Sequence, residues 1–178
     1  MLIPDVGERD ETEAKAKLLY GQGKMQPLAD FIESTIFEIF DNRDYITANE
    51  LTVKTTFLSL LFDDTFYMID SELPIVRGYA DLAMILRPEM RQYQLLDILL
   101  EFKFIKLGEH GLSEKTAKAK THDELRAMKT VKKQLTDAVK QAKTYSTALK
   151  AKYGPTLKLR TFAVVAVGFE KLIWDEVK

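Results

Sequence analysis

Leu95-Leu96-Asp97-Ile98-Leu99-Leu100-Glu101-Phe102-Lys103-Phe104 reads as a β-strand that delivers an acid and an amine at the end of an apolar run. Side chains of a strand alternate between faces, so Glu101 and Lys103 project to one side and Phe102 to the other. At about 3.3 Å of rise per residue, the two charged groups lie about 7 Å apart along that face. Twenty residues upstream, Asp81 interrupts a second apolar run, Tyr79-Ala80-Asp81-Leu82-Ala83-Met84-Ile85-Leu86. If the two runs pair as a hairpin, two carboxylates and one ammonium converge where a divalent cation and a water could be held. The spacing alone arises by chance in many chains. What marks Asp81, Glu101 and Lys103 as a site is their setting, because acids in near-continuous apolar strands are costly unless paired, hydrogen-bonded or bound to metal.

Around these two runs the elements fall into a simple order. Strands over residues 66–69, 75–86 and 93–104, with turn signals at Asp63-Asp64, Leu73-Pro74 and Arg87-Pro88, form an antiparallel meander. Ahead of them, Pro27 opens a helix whose apolar positions Leu28, Phe31, Ile32, Ile36, Ile39 and Phe40 follow the i, i+3, i+4 rule up to a stop at Asp41-Asn42. A second helix spans residues 48–61 and turns Leu51, Phe57, Leu58 and Leu61 toward a core. After the third strand, residues 106–120 read as a mobile loop at the edge of the site.

A long helix over residues 121–152 follows, with Leu125, Met128, Leu135, Ala138, Val139, Ala142 and Tyr145 as its buried stripe. Thr121 is its N-cap, and Tyr153-Gly154-Pro155 is its stop. The last strand, residues 157–168, is centred on Phe162-Ala163-Val164-Val165-Ala166-Val167, the composition of a fully buried strand. The order α-α-β-β-β-α-β gives an α/β fold, and the crossover through the long helix makes the final pairing parallel and right-handed. Residues 1–24 read as a polar N-terminal extension or linker, and residues 25–178 as one domain.

Composition agrees with a single globular domain: 178 residues, 46% hydrophobic and 30% charged. No apolar run approaches the ~18 residues of a membrane span, and no signal-like N-terminus is present, so neither membrane insertion nor export is expected. The chain has no cysteine, which excludes disulfides and thiolate zinc sites and suits a reducing cytoplasm. His110 and His122 sit in polar surroundings and read as solvated. The net charge of −1 hides a split: residues 1–105 carry −9, residues 106–152 carry +7 and residues 153–178 carry +1. The basic segment could lay a positive surface beside Glu101 and Lys103, where a phosphodiester would approach; a solvated lysine-rich helix face is the alternative.

These residues and their surroundings resemble the PD-(D/E)XK nuclease superfamily. More narrowly, the chain looks like the nuclease-like C-terminal domain that follows an AAA-type ATPase-like domain in a large prokaryotic family. The likeness is carried, in order, by Arg43-Asp44-Tyr45, Asn49-Glu50-Leu51-Thr52-Val53-Lys54, Ser71-Glu72, Gly78-Tyr79-Ala80-Asp81-Leu82 and Leu100-Glu101-Phe102-Lys103-Phe104. Gln141-Ala142-Lys143-Thr144-Tyr145 fits the Gln-x-x-x-Tyr element of the helicase-associated branch. Ala80 stands where the superfamily's name has proline. The likeness runs over roughly residues 25 to 170 and implies a restriction-endonuclease-like core, a mixed central β-sheet flanked by helices.

The resemblance further implies a metal-dependent nuclease acting on DNA, with Mg²⁺ or Mn²⁺ as cofactor. Asp81, Glu101 and the Phe102 carbonyl would hold the metal, hard oxygen donors suited to such ions. Lys103 would orient a water or stabilise charge on the phosphoryl oxygens. Glu50 matches the acid on the preceding helix; an exposed Glu at a helix N-terminus is the alternative. Gln141 and Tyr145, one turn apart, would sit over the site, with a core aromatic as the other reading of Tyr145. Lys54 and Glu72 fit the pattern as well. Apart from the resemblance, Lys129, Lys132, Lys133, Lys140 and Lys143 of the basic segment are the candidate DNA contacts.

A catalytically silent nucleic-acid-binding or regulatory module, partner to an AAA-type ATPase domain in the same or another chain, is the second function class, and a homodimer is left open. Gly21-Gln22-Gly23-Lys24 does not make a phosphate-binding loop, lacking the first glycine and the hydroxyl residue after the lysine.

Overall fold

The computed structural model describes residues 7–39, 49–70, 73–75, 78–108 and 112–178. Arg43-Asp44-Tyr45, Ser71-Glu72, His110 and the Asp41-Asn42 stop lie outside the described residues. The strands are β1 (Tyr67–Asp70), β2 (Leu73–Ile75), β3 (Gly78–Ala80), β4 (Leu82–Leu86), β5 (Asp97–Ile105), β6 (Leu159–Val167) and β7 (Lys171–Glu176). Five of them make a mixed sheet in the order β1-β4-β5-β6-β7, flanked by helices on both faces, while β2 and β3 form a separate two-stranded ribbon. β1, β4 and β5 are the expected antiparallel meander, and β5 pairs β6 in parallel from Asp97↔Leu159 to Ile105↔Val167, as the crossover rule requires.

Alternation along β5 and β6 splits the core into two layers. Leu82, Met84, Ile98, Leu100, Phe102, Phe162 and Val164 pack with α1 (Gly7–Gln22), α2 (Gln26–Phe31) and α3 (Glu50–Leu61). The opposite face, with Ile105, Ala163, Val165 and Val167, meets α4 (Glu114–Ala119), α5 (His122–Ala127) and α6 (Lys129–Tyr153). The Phe57 and Phe102 rings, centroids 4.9 Å apart, join α3 to the centre of β5.

Several elements differ from the sequence expectation. Residues 7–22 are not a polar extension but α1, which buries Ala16, Leu19 and Tyr20. The i, i+3, i+4 triplet is short enough to be hidden by its charged neighbours, and the Tyr20 hydroxyl donates to the Leu61 carbonyl. The helix opened by Pro27 is α2 followed by a π-helical turn, Ile32–Ile36, and a 3-10 turn, Phe37–Ile39. Leu51 is exposed on α3 rather than turned to the core. The expected strand over 75–86 is broken, with Asp81 at the bend between β3 and β4. That over 93–104 begins only at Asp97.

The expected loop over 106–120 contains α4, capped by Ser113, whose hydroxyl accepts the Thr116 N–H, and anchored by buried Ala117. The long helix is two helices, because Met128 is extended (φ −67°, ψ 135°) between α5 and α6. Its ends are as read: Thr121 and Glu124 form a capping box, and Gly154 (φ +64°) precedes Pro155. β7 has no counterpart in the sequence expectation. It is an edge strand whose apolar content is only Leu172-Ile173-Trp174, too short for a period-2 signal. His122 is only half exposed and pairs with Glu33 at 2.8 Å.

Candidate active site

The site forms where the sheet is incomplete. β4 pairs β5 over Leu82↔Leu100 to Met84↔Ile98, so beyond Leu100 strand β5 keeps β6 on one side and loses β4 on the other. The chain turns away at Asp81, and its carboxylate fills the gap: Asp81 Oδ2 accepts the Phe102 N–H at 2.8 Å. Extending the antiparallel register by one residue puts Asp81 across from Glu101, the convergence expected from the hairpin. Glu101 is buried, its side chain 3% exposed. Strand alternation sends Phe102 into the α1–α3 layer and leaves Glu101 and Lys103 on the α6 side.

The Lys103 ammonium gathers the site's oxygens. Its Nζ donates to the Phe102 carbonyl at 2.8 Å, to Glu101 Oε1 at 3.3 Å and to Glu50 Oε2 at 3.4 Å. Glu50 comes from the first turn of α3, which Asn49 caps by accepting the Thr52 N–H. The other Glu101 oxygen, Oε2, is buried and has no hydrogen-bond partner among the described residues.

Electrostatics follow from this crowding. Burial, with the Asp81 charge adding to it, pushes the Glu101 carboxyl up to about 7 against the opposing pull of Lys103. Burial, opposed by Lys103 and assisted by Asp81, also raises Glu50. At Lys103 burial acts downward, but Glu101, Glu50 and Asp81 together outweigh it and hold the ammonium above its ordinary value.

The structure thus brings together Asp81, Glu101, Phe102, Lys103 and Glu50. Oxygens of the last acid, of Glu101 and of the Phe102 carbonyl already surround one cation, the Lys103 ammonium, and Glu101 Oε2 remains unsatisfied; hard oxygen donors are the kind a small divalent ion takes. Among the described residues, no group of three or more acids and histidines is already drawn together as a preformed metal site. Lys54, one turn after Glu50, is largely buried, and its charge is felt at Glu50.

α6 closes the α6-side face of the site. Tyr145 is buried with Ala83, Ile85, Leu99 and Leu149, and its hydroxyl is raised by burial and then by the Glu101 and Asp81 charges. It is a core aromatic and a neighbour of the acids at once. Gln141 and Lys103 line a cleft of about 410 Å³ together with Gln134, Asp137, Lys140 and Thr144. Gln134 and Asp137 are absent from the sequence expectation, although they share the face of Gln141 at i−7 and i−4.

All five candidate lysines are exposed, but their positions on a 3.6-residue helix oppose the buried stripe, and of the five only Lys140 borders this cleft. A larger cavity of about 740 Å³, lined by Glu33, Phe37, Glu114 and Phe169 among others, contains none of the site residues. Among the described residues, no helix is long and apolar enough to cross a membrane.

Residues 48–176 match the family model of the PD-(D/E)XK nuclease superfamily, a span that takes in α3, the whole sheet and α6. Among curated proteins and among solved structures, nothing matches.

Proposed function

This chain belongs to the PD-(D/E)XK nuclease superfamily, and from that premise we propose that it is a Mg²⁺- or Mn²⁺-dependent nuclease acting on DNA through Asp81, Glu101 and Lys103. The observation that carries this reading is the cage of oxygens on one cation: the Phe102 carbonyl, Glu101 and Glu50 around Lys103 Nζ, beside a buried Glu101 oxygen that has no partner among the described residues.

Asp81, Glu101 and the Phe102 carbonyl would hold the ion, with Glu50 at its margin. A divalent ion there supplies Lewis-acid polarisation of a phosphoryl oxygen and a bound water of lowered pKa. Asp81 does its part while tied to the Phe102 N–H, which fixes the carboxylate's direction. Lys103, charged and only 17% exposed in its side chain, donates hydrogen bonds to the phosphoryl oxygens as negative charge builds on them. Such preorganised donors are worth about 10²- to 10³-fold in rate. Hydrolysis joins the water oxygen to phosphorus and releases one ester oxygen, which leaves with a proton. Gln141, on the cleft, holds the adjoining phosphate or a carboxylate by its amide, and Tyr145 backs the acids with its ring.

The test is cleavage of plasmid and single-stranded DNA by the purified protein with Mn²⁺ or Mg²⁺. Asp81→Asn, Glu101→Gln and Lys103→Ala should each remove it while circular dichroism stays native, and EDTA should stop it. Cleavage that persists in all three variants, or in EDTA, would overturn the assignment.

A further inference from the structure

The face of α6 that looks onto Lys103 is not its lysine face. Gln134, Asp137, Gln141 and Thr144 repeat at i, i+3, i+7 and i+10, a single stripe on a 3.6-residue helix, and all four line the cleft. The Thr144 hydroxyl is already used, donating to the Lys140 carbonyl at 3.1 Å. Gln134 and Asp137 have no hydrogen-bond or ion-pair partner among the described residues, so their polar ends are available to a ligand. Asp137 lies about 6 Å along the axis from Gln141, and Gln134 about 10.5 Å, from the 1.5 Å helical rise.

A carboxylate in this position is informative because it is wrong for a phosphate. The cleft offers cations at Lys103 and Lys140, which suit phosphodiester oxygens, whereas Asp137 would repel them. What a carboxylate accepts from a nucleic acid is a hydrogen-bond donor: an exocyclic amine of a base, as an acid accepts from cytosine N4, or a ribose 2′-hydroxyl. Gln134, one turn farther, can both donate and accept. The cleft, about 410 Å³, is open to solvent on one side, so a nucleotide can lie across it.

Resting on the nuclease reading above, we infer that Gln134 and Asp137 form a selectivity subsite. It hydrogen-bonds donor groups on the base or sugar of a nucleotide next to the scissile phosphate, while Lys103 and Lys140 take the phosphates. Asp137 and Gln134 are therefore specificity residues, and neither belongs to the machinery that cleaves.

The test is fluorescence-anisotropy binding of labelled 12-mers dC12, dT12 and rU12 to the intact protein in EDTA, with cleavage of the same oligonucleotides in Mn²⁺ run in parallel. The native protein should favour dC12 over dT12, if a base amine is read, or rU12 over dT12, if the 2′-hydroxyl is read, by about fivefold or more. Asp137→Ala should erase that preference, and Gln134→Ala should reduce it. Alanine at these helix positions favours the helix, so both variants should fold. Equal binding of all three by the native protein, a preference that survives Asp137→Ala, or no binding of any of them overturns the inference. Metal-dependent cleavage without discrimination would sink the subsite and leave the nuclease reading intact. Discrimination that Asp137→Ala erases, in a protein that never cleaves, would support the subsite and sink the nuclease reading.

Discussion

The Asp81 carboxylate accepts the Phe102 backbone N–H at 2.8 Å, standing in for the strand partner that β5 loses beyond Leu100. The same residue therefore has a structural and a chemical role, and two substitutions separate them. Asp81→Asn keeps an oxygen that can accept the bond. Asp81→Ala leaves the N–H unpaired in a half-buried setting, a cost of about 1–3 kcal/mol. Urea unfolding should show Asp81→Ala clearly less stable than Asp81→Asn, while both lose cleavage. Equal stabilities would mean that water replaces the carboxylate without loss.

Glu101 makes stability depend on pH in an unusual direction. Its carboxyl is raised by burial to about 7 in the fold, against about 4.3 in an unfolded chain. The folded state thus favours the protonated form. Its contribution to stability is fully present below the unfolded value and is lost as pH rises from about 4.3 through 7. Each tenfold difference in proton affinity between the folded and unfolded chain is worth about 1.36 kcal/mol, so the loss is of the order of 4 kcal/mol. Glu101→Gln, which cannot ionise, should be more stable than the native protein at pH 8 without metal, and the difference should shrink toward pH 4.5. Chemical denaturation of both proteins across that range reads it directly; a difference that does not change with pH would show that Glu101 is not held protonated by the fold.

Much of this site was legible because its signal is local. Glu101-x-Lys103 in an apolar strand forces a shared face, and Asp81 in a second apolar run invites the hairpin. The meander, the parallel crossover, the Thr121 cap and the Gly154-Pro155 stop are likewise set by short-range rules. What was not legible depends on neighbours distant in sequence. The bend at Asp81 exists because β4 leaves β5 after Leu100, and the engagement of Lys103 with Glu50 spans 53 positions. α1 escaped notice because Leu19 and Tyr20 are buried only against residues such as Tyr67, whose ring is 5.1 Å from that of Tyr20. The buried stripe of α6, Leu135, Ala138, Ala142 and Tyr145, was legible from its period, but which exposed flank of the helix borders Lys103 depends on where the sheet seats it, so Gln134 and Asp137 were not.

At the other end of β5, Asp97 is wholly buried and fully satisfied. It accepts from both terminal nitrogens of Arg91 at 2.6 and 2.8 Å, from the Leu86 N–H at 2.8 Å and from the Lys158 N–H at 2.7 Å. One side chain thus ties β4, β5 and the approach to β6, about 13 Å along the strand from Glu101. Removing Arg91 leaves a buried charge short of its partner, and such losses cost about 3–5 kcal/mol. Arg91→Met should lower unfolding stability by that amount and leave the pH dependence attributed to Glu101 unchanged. A loss under about 1 kcal/mol would mean that the backbone donors alone satisfy Asp97.

The lysines of α6 supply the last prediction. Lys129, Lys132, Lys133, Lys140 and Lys143 are exposed on the face opposite the buried stripe, and of these Lys140 reaches the cleft of Lys103. Each lysine that neutralises a phosphate of duplex DNA contributes about 0.9 to the slope of log K against log salt concentration. Lys140→Ala should flatten that slope by about 0.9. If the whole face tracks the backbone, replacing Lys129, Lys132 and Lys133 together by alanine should flatten it by about 2.7 more. Titrations of duplex binding between about 50 and 200 mM salt distinguish the cases. An unchanged slope in the triple variant would return those three residues to a solvated helix face and leave Lys140 as the phosphate contact on this helix.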